Sequence, residues 1–462
     1  MFSGNKPPAV SVLRASNLER YDTEICGVAR RLSPSDYVTF KFGETVKWLV
    51  FCSKRASIPD CGWKIHVSSC LVDASELLTT IVPYLISQFV TFKLPSSSAD
   101  FLTVNRGAGG IGGIGKILTA YPTNSRECRR HIHWLGARWK PAKAPVIESD
   151  FRPFADSAVF FRYGPFTAPS VKPLAVEEGH SLIAAIPTRK PLKARNKKQN
   201  DGRIKVGETG FWKISAVRSR AKGSVFWALS DSLEFAYLKV ARTGADEDEY
   251  GVDASHRLCR EIEFLGAALK AGVSCPRILD SSTAGDAAVA LEEISGKHLN
   301  KSGVATPLVV SKILREVSKL HRVGILHRDL KPSNILVAED RTFLIDFEYA
   351  CYGDERRAPL FWSDVYTSEE GRRGSRPTRG HDVYSVAIIV IELLARTTIG
   401  DRLQIARALD LLDGSVAKPF TKMLRSIIDL QGRDGHDMGE FAAAFQDAFP
   451  ETQRGDRGRH GL

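Results

Sequence analysis

The sequence predicts two α+β domains joined by a basic linker, and three observations lead to this arrangement. The chain has 462 residues, more than one ordinary domain holds, and its 43% apolar and 26% charged content is typical of folded protein. Residues 186–205 break this composition with eight basic residues, one acid, two prolines and few apolar side chains. The blocks on either side each mix short alternating runs with helical runs, which indicates α+β structure in both.

These observations divide the chain into a domain at 1–185, a linker at 186–205, a domain at 206–452 and a basic tail at 453–462. The linker and the tail hold nine of the twelve excess positive charges, and no aromatic residue is interleaved with the basic run of the linker. We therefore expect no nucleic-acid partner. The linker is interpreted as a solvated connection; the alternative is a docking strip for an acidic peptide or a membrane.

The sequence gives no sign of export or of a membrane span. The N-terminus lacks a signal-peptide core, and the longest apolar run, Val383 to Ala395, follows Asp382 and contains Glu392. The eight cysteines form no CxxC pair, so reduced thiols are expected and zinc is not. These features predict a cytoplasmic protein without a membrane partner.

The sharpest motif lies in the second domain, where residues 327–334 read HRDLKPSN and residues 343–348 read FLIDFE. These segments resemble the HRDxxxxN catalytic loop and the DFG metal loop of protein kinases. Four polar residues in this register are not expected by chance. The resemblance implies a proton acceptor, Asp329, a lysine that steadies the transferred phosphoryl group, Lys331, and two magnesium ligands, Asn334 and Asp346.

Two further kinase elements lie upstream in the expected order. Residues 235–240, FAYLKV, resemble the strand whose lysine, here Lys239, holds the α- and β-phosphates of ATP. Glu261 is the expected ion-pair partner of Lys239 on the following helix. Glu263 is the alternative, and Glu261 is preferred because Phe264 and Leu265 then fall where the family packs apolar residues.

The adenine side and the base of the kinase are also recognisable. Residues 288–296, AVALEEISG, resemble the hinge, with Leu291 as gatekeeper and Glu292 beginning the stretch along the adenine. Asp382 opens an apolar run that resembles the buried helix anchoring the catalytic loop. That run is therefore expected to be core.

Two departures from the kinase pattern occur. In the Gly-rich loop, residues 218–225, only Gly223 of the three glycines remains, followed by Val225. Glu348 replaces the DFG glycine, and the sequence at this position resembles that of choline and aminoglycoside phosphotransferases. The HRDLKPSN loop and the Asp382 helix instead favour a protein kinase. All four chemical residues remain, so we expect an active kinase rather than a pseudokinase.

The first domain carries a lysine–histidine pair. In GWKIHVS, residues 62–68, Lys64 and His66 alternate with apolar residues, so both face one side of a strand. Lys93 and Lys116 follow downstream, the latter after a glycine cluster. Together they indicate a phosphate pocket with an acid and a base; the alternative is that they are exposed strand residues.

Four segments of this domain carry a family resemblance: GWKIHVS, VTFKL, IGKILTAYP and FFRYGPF. They resemble the N-terminal lyase domain of class III and class IV lanthipeptide synthetases, which is similar to phosphothreonine lyases and precedes a Ser/Thr kinase domain. The resemblance covers roughly residues 20–450. It implies a lyase-like domain followed by a bilobal kinase-like domain. It further implies ATP-dependent phosphorylation of peptide Ser or Thr and elimination of the phosphate to dehydroalanine or dehydrobutyrine.

The resemblance also assigns the lyase residues. Lys93 is the expected base for the α-proton, and His66 the expected acid for the leaving phosphate. A useful base needs a pKa lowered by roughly 2–3 pH units, which several neighbouring cations can supply. The residues expected to bind phosphate or polarise the carbonyl are Lys64, Arg106, Lys116, Arg152 and Arg162.

One glycine motif imitates a nucleotide site. Residues 110–116 match GxGxxG and nearly match a P-loop, but Ile117 stands where a hydroxyl would be needed for magnesium. We expect a glycine loop at the lyase pocket and no second nucleotide site.

The implied cofactors are ATP and Mg²⁺, and the implied substrate is a precursor peptide with a leader and a core. The family usually continues into a zinc-binding cyclase, whereas this sequence ends soon after the kinase. We therefore expect that ring formation either comes from a separate cyclase or does not occur. The charge of the linker suggests an acidic leader. Two alternatives remain open: a regulatory Ser/Thr kinase with a noncatalytic N-terminal binding module, and a nonenzymatic scaffold.

Overall fold

The protein is described from a computed structural model. The described residues are 12–32, 36–55, 61–165, 202–248, 250–283, 285–303, 306–338, 341–353, 355 and 363–453. Residues 186–201 of the predicted linker and 454–462 of the predicted tail lie outside them. The last linker positions are described, and Arg203 and Lys205 lie in a strand.

The first domain is built on a six-stranded antiparallel sheet. Its strand order is β1-β2-β4-β5-β3-β6. The strands are β1 (Tyr37–Phe42), β2 (Trp48–Ser53), β3 (Cys61–Val67), β4 (Thr91–Pro95), β5 (Leu118–Tyr121) and β6 (Val159–Pro165). Since the order brings β4, β5 and β3 side by side, residues far apart in sequence meet at the centre of the sheet.

The two faces of this sheet have different roles. Phe92 and Leu94 point to the core face and are completely buried, packed with Phe51 of β2. Lys93 lies between them in sequence and therefore points to the opposite face. Lys93 pairs with Thr119, and Thr119 pairs with His66, so the predicted base and acid lie on the same face two strands apart.

Among the described residues, the first domain has five helices beside the sheet: α1 (Val12–Arg31), α2 (Ala74–Glu76), α3 (Val82–Ser87), α4 (Ser98–Asn105) and α5 (Ser125–Arg138). Ile25 of α1 and Leu135 of α5 belong to the same buried cluster as Phe92. Ser97 and Asn124 cap α4 and α5 by accepting backbone hydrogen bonds, which explains where these helices begin.

The second domain has two lobes. The first is a six-stranded sheet in the order β11-β12-β10-β9-β8-β7, with one helix, α6 (Ala254–Lys270), against it. The strands are β7 (Arg203–Val206), β8 (Thr209–Arg220), β9 (Gly223–Ser230), β10 (Phe235–Ala241), β11 (Ile278–Ser282) and β12 (Ala288–Glu292). Helix α6 begins at the cap Asp253, whose side chain accepts from the His256 backbone N–H.

The second lobe is mostly helical, with two small sheets formed by β13 (Lys297–His298), β14 (Ile325–Leu326), β15 (Ile335–Ala338), β16 (Arg341–Leu344) and β17 (Cys351–Tyr352). Its helices are α7 (Leu299–Ser302), α8 (Pro307–Arg322), α9 (Glu369–Arg372), α10 (Arg379–Ala395), α11 (Arg402–Leu412), α12 (Lys418–Leu430) and α13 (Met438–Ala448). The apolar run after Asp382 lies in α10 and is buried. Among the described residues, no helix combines the length and apolar content that crossing a membrane requires.

Candidate active sites

In the second domain, two residues of the catalytic loop and one residue from outside it donate hydrogen bonds to one carboxylate. Asp329 is buried, and its two oxygens accept from the Nζ of Lys331 at 2.9 and 2.8 Å. The Nδ2 of Asn334 donates to Oδ2 of Asp329 at 2.8 Å, and the hydroxyl of Ser363 donates to Oδ1 at 2.7 Å. These bonds fix the carboxylate that would receive a hydroxyl proton.

The side chain of Asp382 anchors the backbone of the catalytic loop. Its side chain is completely buried at the start of α10 and accepts from the backbone N–H groups of His327 and Arg328, both at 2.8 Å. The ring of His321 adds a third contact at 3.0 Å. Because backbone donors bind the carboxylate, the position of the catalytic loop is tied to the buried helix.

Lys239 reaches two carboxylates across the cleft. Its Nζ lies 2.5 Å from Oε1 of Glu261 and 2.9 Å from Oδ1 of Asp346. Burial alone would lower the pKa of Lys239, but these two carboxylates raise it above its ordinary value. Glu263, the alternative partner, is exposed on the other side of α6.

The phosphate end of the cleft lies under the hairpin of β8 and β9. Gly223 approaches the next strand so closely that a Cβ would lie 2.1 Å from the carbonyl oxygen of Val240. Gly223, Val225 and Lys239 line a cavity of about 50 Å³ there.

Glu348, in the position of the DFG glycine, bridges two cations at this cavity. Its Oε2 contacts the Nζ of Lys222 on the hairpin, and its Oε1 lies 3.4 Å from Nε of Arg257 on α6. The substitution therefore adds an ionic link between the hairpin, the metal loop and α6.

The predicted hinge forms the edge of the cleft. Leu291 is buried on β12 and pairs across the strands with Tyr237 of β10. The carboxylate of Glu292 accepts from the backbone N–H of Arg277 at 2.9 Å and from its Nε at 2.6 Å. Leu291 therefore lies at the inner end of the hinge, and Glu292 is fixed at its beginning.

The residues in this cleft fit ATP with Mg²⁺. Asp346 and Asn334 offer oxygen ligands, and Mg²⁺ at such sites needs only one or two protein ligands in addition to phosphates. Among the described residues, no group of three His, Cys, Asp or Glu side chains could hold a metal ion. The cysteines found as free thiols are Cys26, Cys52, Cys70, Cys128, Cys259, Cys275 and Cys351.

A second site lies on the exposed face of the first sheet. A cavity of about 420 Å³ is lined by the predicted lysines and histidine of two strands, β3 and β4, and one loop: Lys64, His66, Lys93 and Lys116. Gly109 and Gly113 form part of its wall. The glycine cluster thus leads from α4 to β5 beside this cavity, and not from a strand into a helix as a P-loop does.

Lys93 lies in a cationic environment. Burial lowers its pKa to about 8, with further contributions from the charges of Lys64 and Lys116. Its Nζ lies 4.0 Å from the centre of the Trp48 ring, which also lines the cavity. The aromatic ring gives the ammonium a neutral contact in place of a carboxylate.

His66 is held by a carboxylate that the sequence did not point to. Nδ1 of His66 contacts Oδ2 of Asp150, whose side chain is fully buried, and Nζ of Lys116 lies 3.1 Å from the other oxygen. Burial lowers the pKa of His66 to about 4, with the charges of Lys116 and Arg162 acting in the same direction and Asp150 opposing them. The pKa of Asp150 is well below its usual range despite its burial, so the carboxylate stays ionised.

The three predicted arginines lie in different places. Arg162 pairs with Lys64 across strands β6 and β3, and its buried Nε has no hydrogen-bond partner within the described part of the chain. Arg152 is directed away, since its Nε donates to the carbonyl of Ser157 at 2.9 Å. Arg106 is exposed after α4, where its charge acts on Asp246 of the second domain.

The sequence analysis did not identify Asp150, Trp48 or Ser363. It identified Glu348 only as the residue that replaces the DFG glycine. Asp150 is 84 positions from His66 and meets it only because the sheet folds between them. Ser363 lies 34 positions from Asp329. In both pairs the sequence separation is large, so local spacing carries no signal for the contact.

Comparison with known proteins matches both halves of the chain. Residues 29–188 match the family model of the RamC N-terminal domain, and residues 281–412 match that of the protein kinase domain. The chain pairs a RamC-like domain with a protein kinase domain. This confirms the predicted two-region architecture and its kinase half.

Relatives extend over both halves. The chain is 28% identical to the probable SapB synthase of Streptomyces coelicolor over 77% of its own length and 42% of that protein. It is 29% identical to the Ser/Thr-protein kinase AfsK of the same organism, over 37% of the chain and 22% of AfsK. A probable Ser/Thr-protein kinase of Lactococcus lactis, PknB, is 38% identical over 19% of the chain and 14% of PknB. The chain therefore spans less than half the length of each of these relatives.

Proposed function

We propose that this protein is a peptide Ser/Thr dehydratase, in which the kinase domain phosphorylates a hydroxyl of a precursor peptide and the RamC-like domain eliminates the phosphate. The observation that carries the proposal is the position of Lys93, a half-buried lysine with a pKa of about 8 in a cationic cavity beside His66. Similarity to a probable SapB synthase supports placing the reaction in lanthipeptide-like biosynthesis.

The first reaction is transfer of the γ-phosphoryl group of ATP to a peptide hydroxyl. The hydroxyl oxygen forms the new bond to phosphorus, the bond to the β-phosphate oxygen breaks, and Asp329 receives the proton. Lys331 would hold the transferred group, and Lys239 would hold the remaining phosphates. Bound Mg²⁺ would neutralise phosphate charge, with Asn334 and Asp346 as its ligands.

The second reaction is elimination of that phosphate. Neutral Lys93 takes the α-proton, the electron pair forms the Cα–Cβ double bond, and the Cβ–O bond breaks as phosphate leaves. At pH 7 roughly a tenth of a lysine with a pKa of 8 is neutral, against fewer than about one in 10³ for an ordinary lysine. The shifted pKa is therefore what makes Lys93 a usable base.

His66 would protonate the leaving phosphate. Asp150 fixes the orientation of the ring through Nδ1, which leaves Nε2 for the substrate. The two negative charges of a bound phosphate raise the pKa of a nearby imidazole. Substrate binding would therefore favour protonation of His66 from solvent, which burial and the neighbouring cations otherwise oppose. Lys64, Lys116 and Arg162 would hold the phosphate.

The elimination step can be tested apart from the kinase. A synthetic peptide with one phosphothreonine is incubated without ATP, and phosphate release and intact mass are measured. We expect loss of phosphoric acid, with a rate lowered about 10²–10⁴-fold in Lys93→Ala. Lys41→Ala, an exposed lysine of β1 in the same domain, is the matched control and should keep the wild-type rate.

Two outcomes would oppose the proposal. Elimination that survives in Lys93→Ala at the rate of the control would show that Lys93 is not the base. A stable phosphate gain on a Thr-containing precursor peptide with ATP, together with no elimination from the phosphothreonine peptide, would favour the alternative of a regulatory kinase with a binding module.

A further inference from the structure

The connection between β10 and α6, Arg242 to Asp253, contacts the first domain at several points. The buried carboxylate of Glu247 accepts from the backbone N–H of Leu71 at 3.0 Å. The backbone N–H of Asp246 donates to the carbonyl of Asn105 at 2.9 Å. Glu148 of the first domain lies 3.1 Å from Nε of Arg242. This connection leads into α6, the helix that bears Glu261. A shift of the first domain can therefore change the position of α6.

Lys143 of the first domain reaches the cap of that helix. Its Nζ lies 2.7 Å from Oδ2 of Asp253, a side chain that is 2% exposed. The same oxygen accepts from the backbone N–H of Gly244 at 2.7 Å, and the other oxygen accepts from His256 at 2.8 Å. One carboxylate therefore joins Lys143, the connection and the first turn of α6.

A second route runs from the same connection to the metal loop. The carboxylate of Asp246 contacts Arg257 on α6, and Arg257 in turn lies 3.4 Å from Glu348. The backbone bond from Asp246 to Asn105 fixes where that carboxylate sits. The first domain therefore contacts the two residues, Asp246 and Asp253, that orient α6.

We propose that the first domain positions α6 for phosphoryl transfer and that Lys143 is the positioning residue. Glu261 lies eight positions after Asp253, about 12 Å along a rigid helix. A tilt at the cap therefore displaces the carboxylate that binds Lys239. The proposal rests on the kinase half of the proposed function and does not require the elimination step.

The rest of α6 shows why the cap needs this support. The carboxylate of Glu355 ties Arg260 to the second lobe at 2.6 and 2.9 Å, and Glu261 itself binds Lys239. Both contacts lie in the second turn of the helix, away from the cap. At the cap, the ammonium of Lys143 is the cationic partner of Asp253 within the described residues. Its loss leaves a buried carboxylate that keeps only the backbone donors of the described residues.

The test compares three variants of the full chain. Lys143→Ala removes the contact, Lys143→Arg keeps the charge, and Lys140→Ala removes an ion pair of the same 2.7 Å length within the first domain, to Asp156. ADP formation from ATP and Mg²⁺ is measured with a Thr-containing peptide as phosphate acceptor. We expect kcat to fall about tenfold or more in Lys143→Ala, with a smaller change in KM for ATP, and to recover in Lys143→Arg.

Hydrogen exchange provides a readout that does not depend on turnover. Amides of α6 from Ser255 to Glu261 should exchange faster in Lys143→Ala than in Lys140→Ala, while amides of the sheet in the first domain stay the same. Equal kcat and equal exchange in these two variants would overturn the proposal. If wild type forms no ADP, the kinase assignment fails, and the exchange of α6 alone decides the positioning role.

A double-mutant cycle separates positioning from general damage. Asp253→Asn keeps a good helix cap but removes the charge that Lys143 binds. If Lys143 acts through Asp253, the double variant should be no slower than the worse single variant. Fully additive losses in kcat would show that Lys143 acts elsewhere.

Discussion

Each domain has a half-buried lysine that faces a candidate phosphate site, and the surroundings shift the pKa values of the two lysines in opposite directions. Lys239 contacts two carboxylates, which raise its pKa above the ordinary value although burial opposes them. Lys93 has lysines as its charged neighbours, which add to burial and lower its pKa to about 8. Burial alone therefore does not decide what a lysine can do; the sign of the neighbouring charges does.

The difference matches two kinds of chemistry. A lysine that must stay charged can anchor phosphates through transfer, and carboxylates guarantee that charge. A lysine that must accept a proton needs neighbours that disfavour its charge, and the same neighbours can bind phosphate. One chain therefore has a cleft in which charges are matched and a cavity in which cations are in excess.

The largest expected effect comes from removing the matched lysine. Lys239→Ala should lower phosphorylation, measured as ADP formation with a peptide acceptor, by about 10³-fold, because the phosphates lose their anchor. Elimination from a phosphothreonine peptide, measured in the same preparation, should be unchanged. Loss of both reactions together would mean that the two sites do not work as separate centres.

A smaller effect is expected from the carboxylate within the cationic cavity. Asp150→Asn should lower elimination about 10²-fold, because the amide no longer fixes the ring of His66 or balances Lys116. The mass of the phosphothreonine peptide over time provides the rate, and ADP formation serves as the control. A rate equal to that of wild type would show that elimination does not need Asp150 to orient His66 as the acid.

The smallest expected effect is a shift in the pH dependence of the elimination rate. The logarithm of kcat for elimination should rise with pH and level off at pH 8 or above, since the active form of Lys93 is the deprotonated one and the bound phosphate favours the protonated form of His66. Lys64→Met removes a charge that lowers the pKa of Lys93, so the rising limb should move to higher pH. The profile is measured with the phosphothreonine peptide; a limb that stays in place would contradict the charge coupling.

Sequence alone predicts local chemistry well and distant partnerships poorly. The catalytic loop could be anticipated because Asp329, Lys331 and Asn334 lie within six residues and the loop fixes their spacing. The shared face of Lys64 and His66 follows from strand alternation, whereas Lys93 joins that face only through the order of the sheet. The match of residues 281–412 to the protein kinase domain confirms the kinase half of this prediction.

The remaining features depend on tertiary folding. Asp150 enters the cavity from a segment that carries no motif, and its contact with His66 exists only after β3 and β6 pair. Arg106 was predicted at the lyase phosphate site on resemblance, and the structure places it at the junction with the second domain beside Asp246. The contact of Lys143 with Asp253 joins two domains across 110 positions, a distance over which sequence spacing has no meaning.

The central claim is that the pKa of Lys93 is lowered and the pKa of Lys239 is raised, and it is tested most directly by titrating both lysines. Lysine labelled with ¹³C at Cε can be followed by NMR as a function of pH, with Lys93→Ala and Lys239→Ala assigning the two signals. We predict a midpoint of about 8 for Lys93 and no titration of Lys239 up to pH 10. A midpoint for Lys93 in the ordinary range near 10.4 would contradict the account, because the proposed base would then be almost fully protonated at neutral pH.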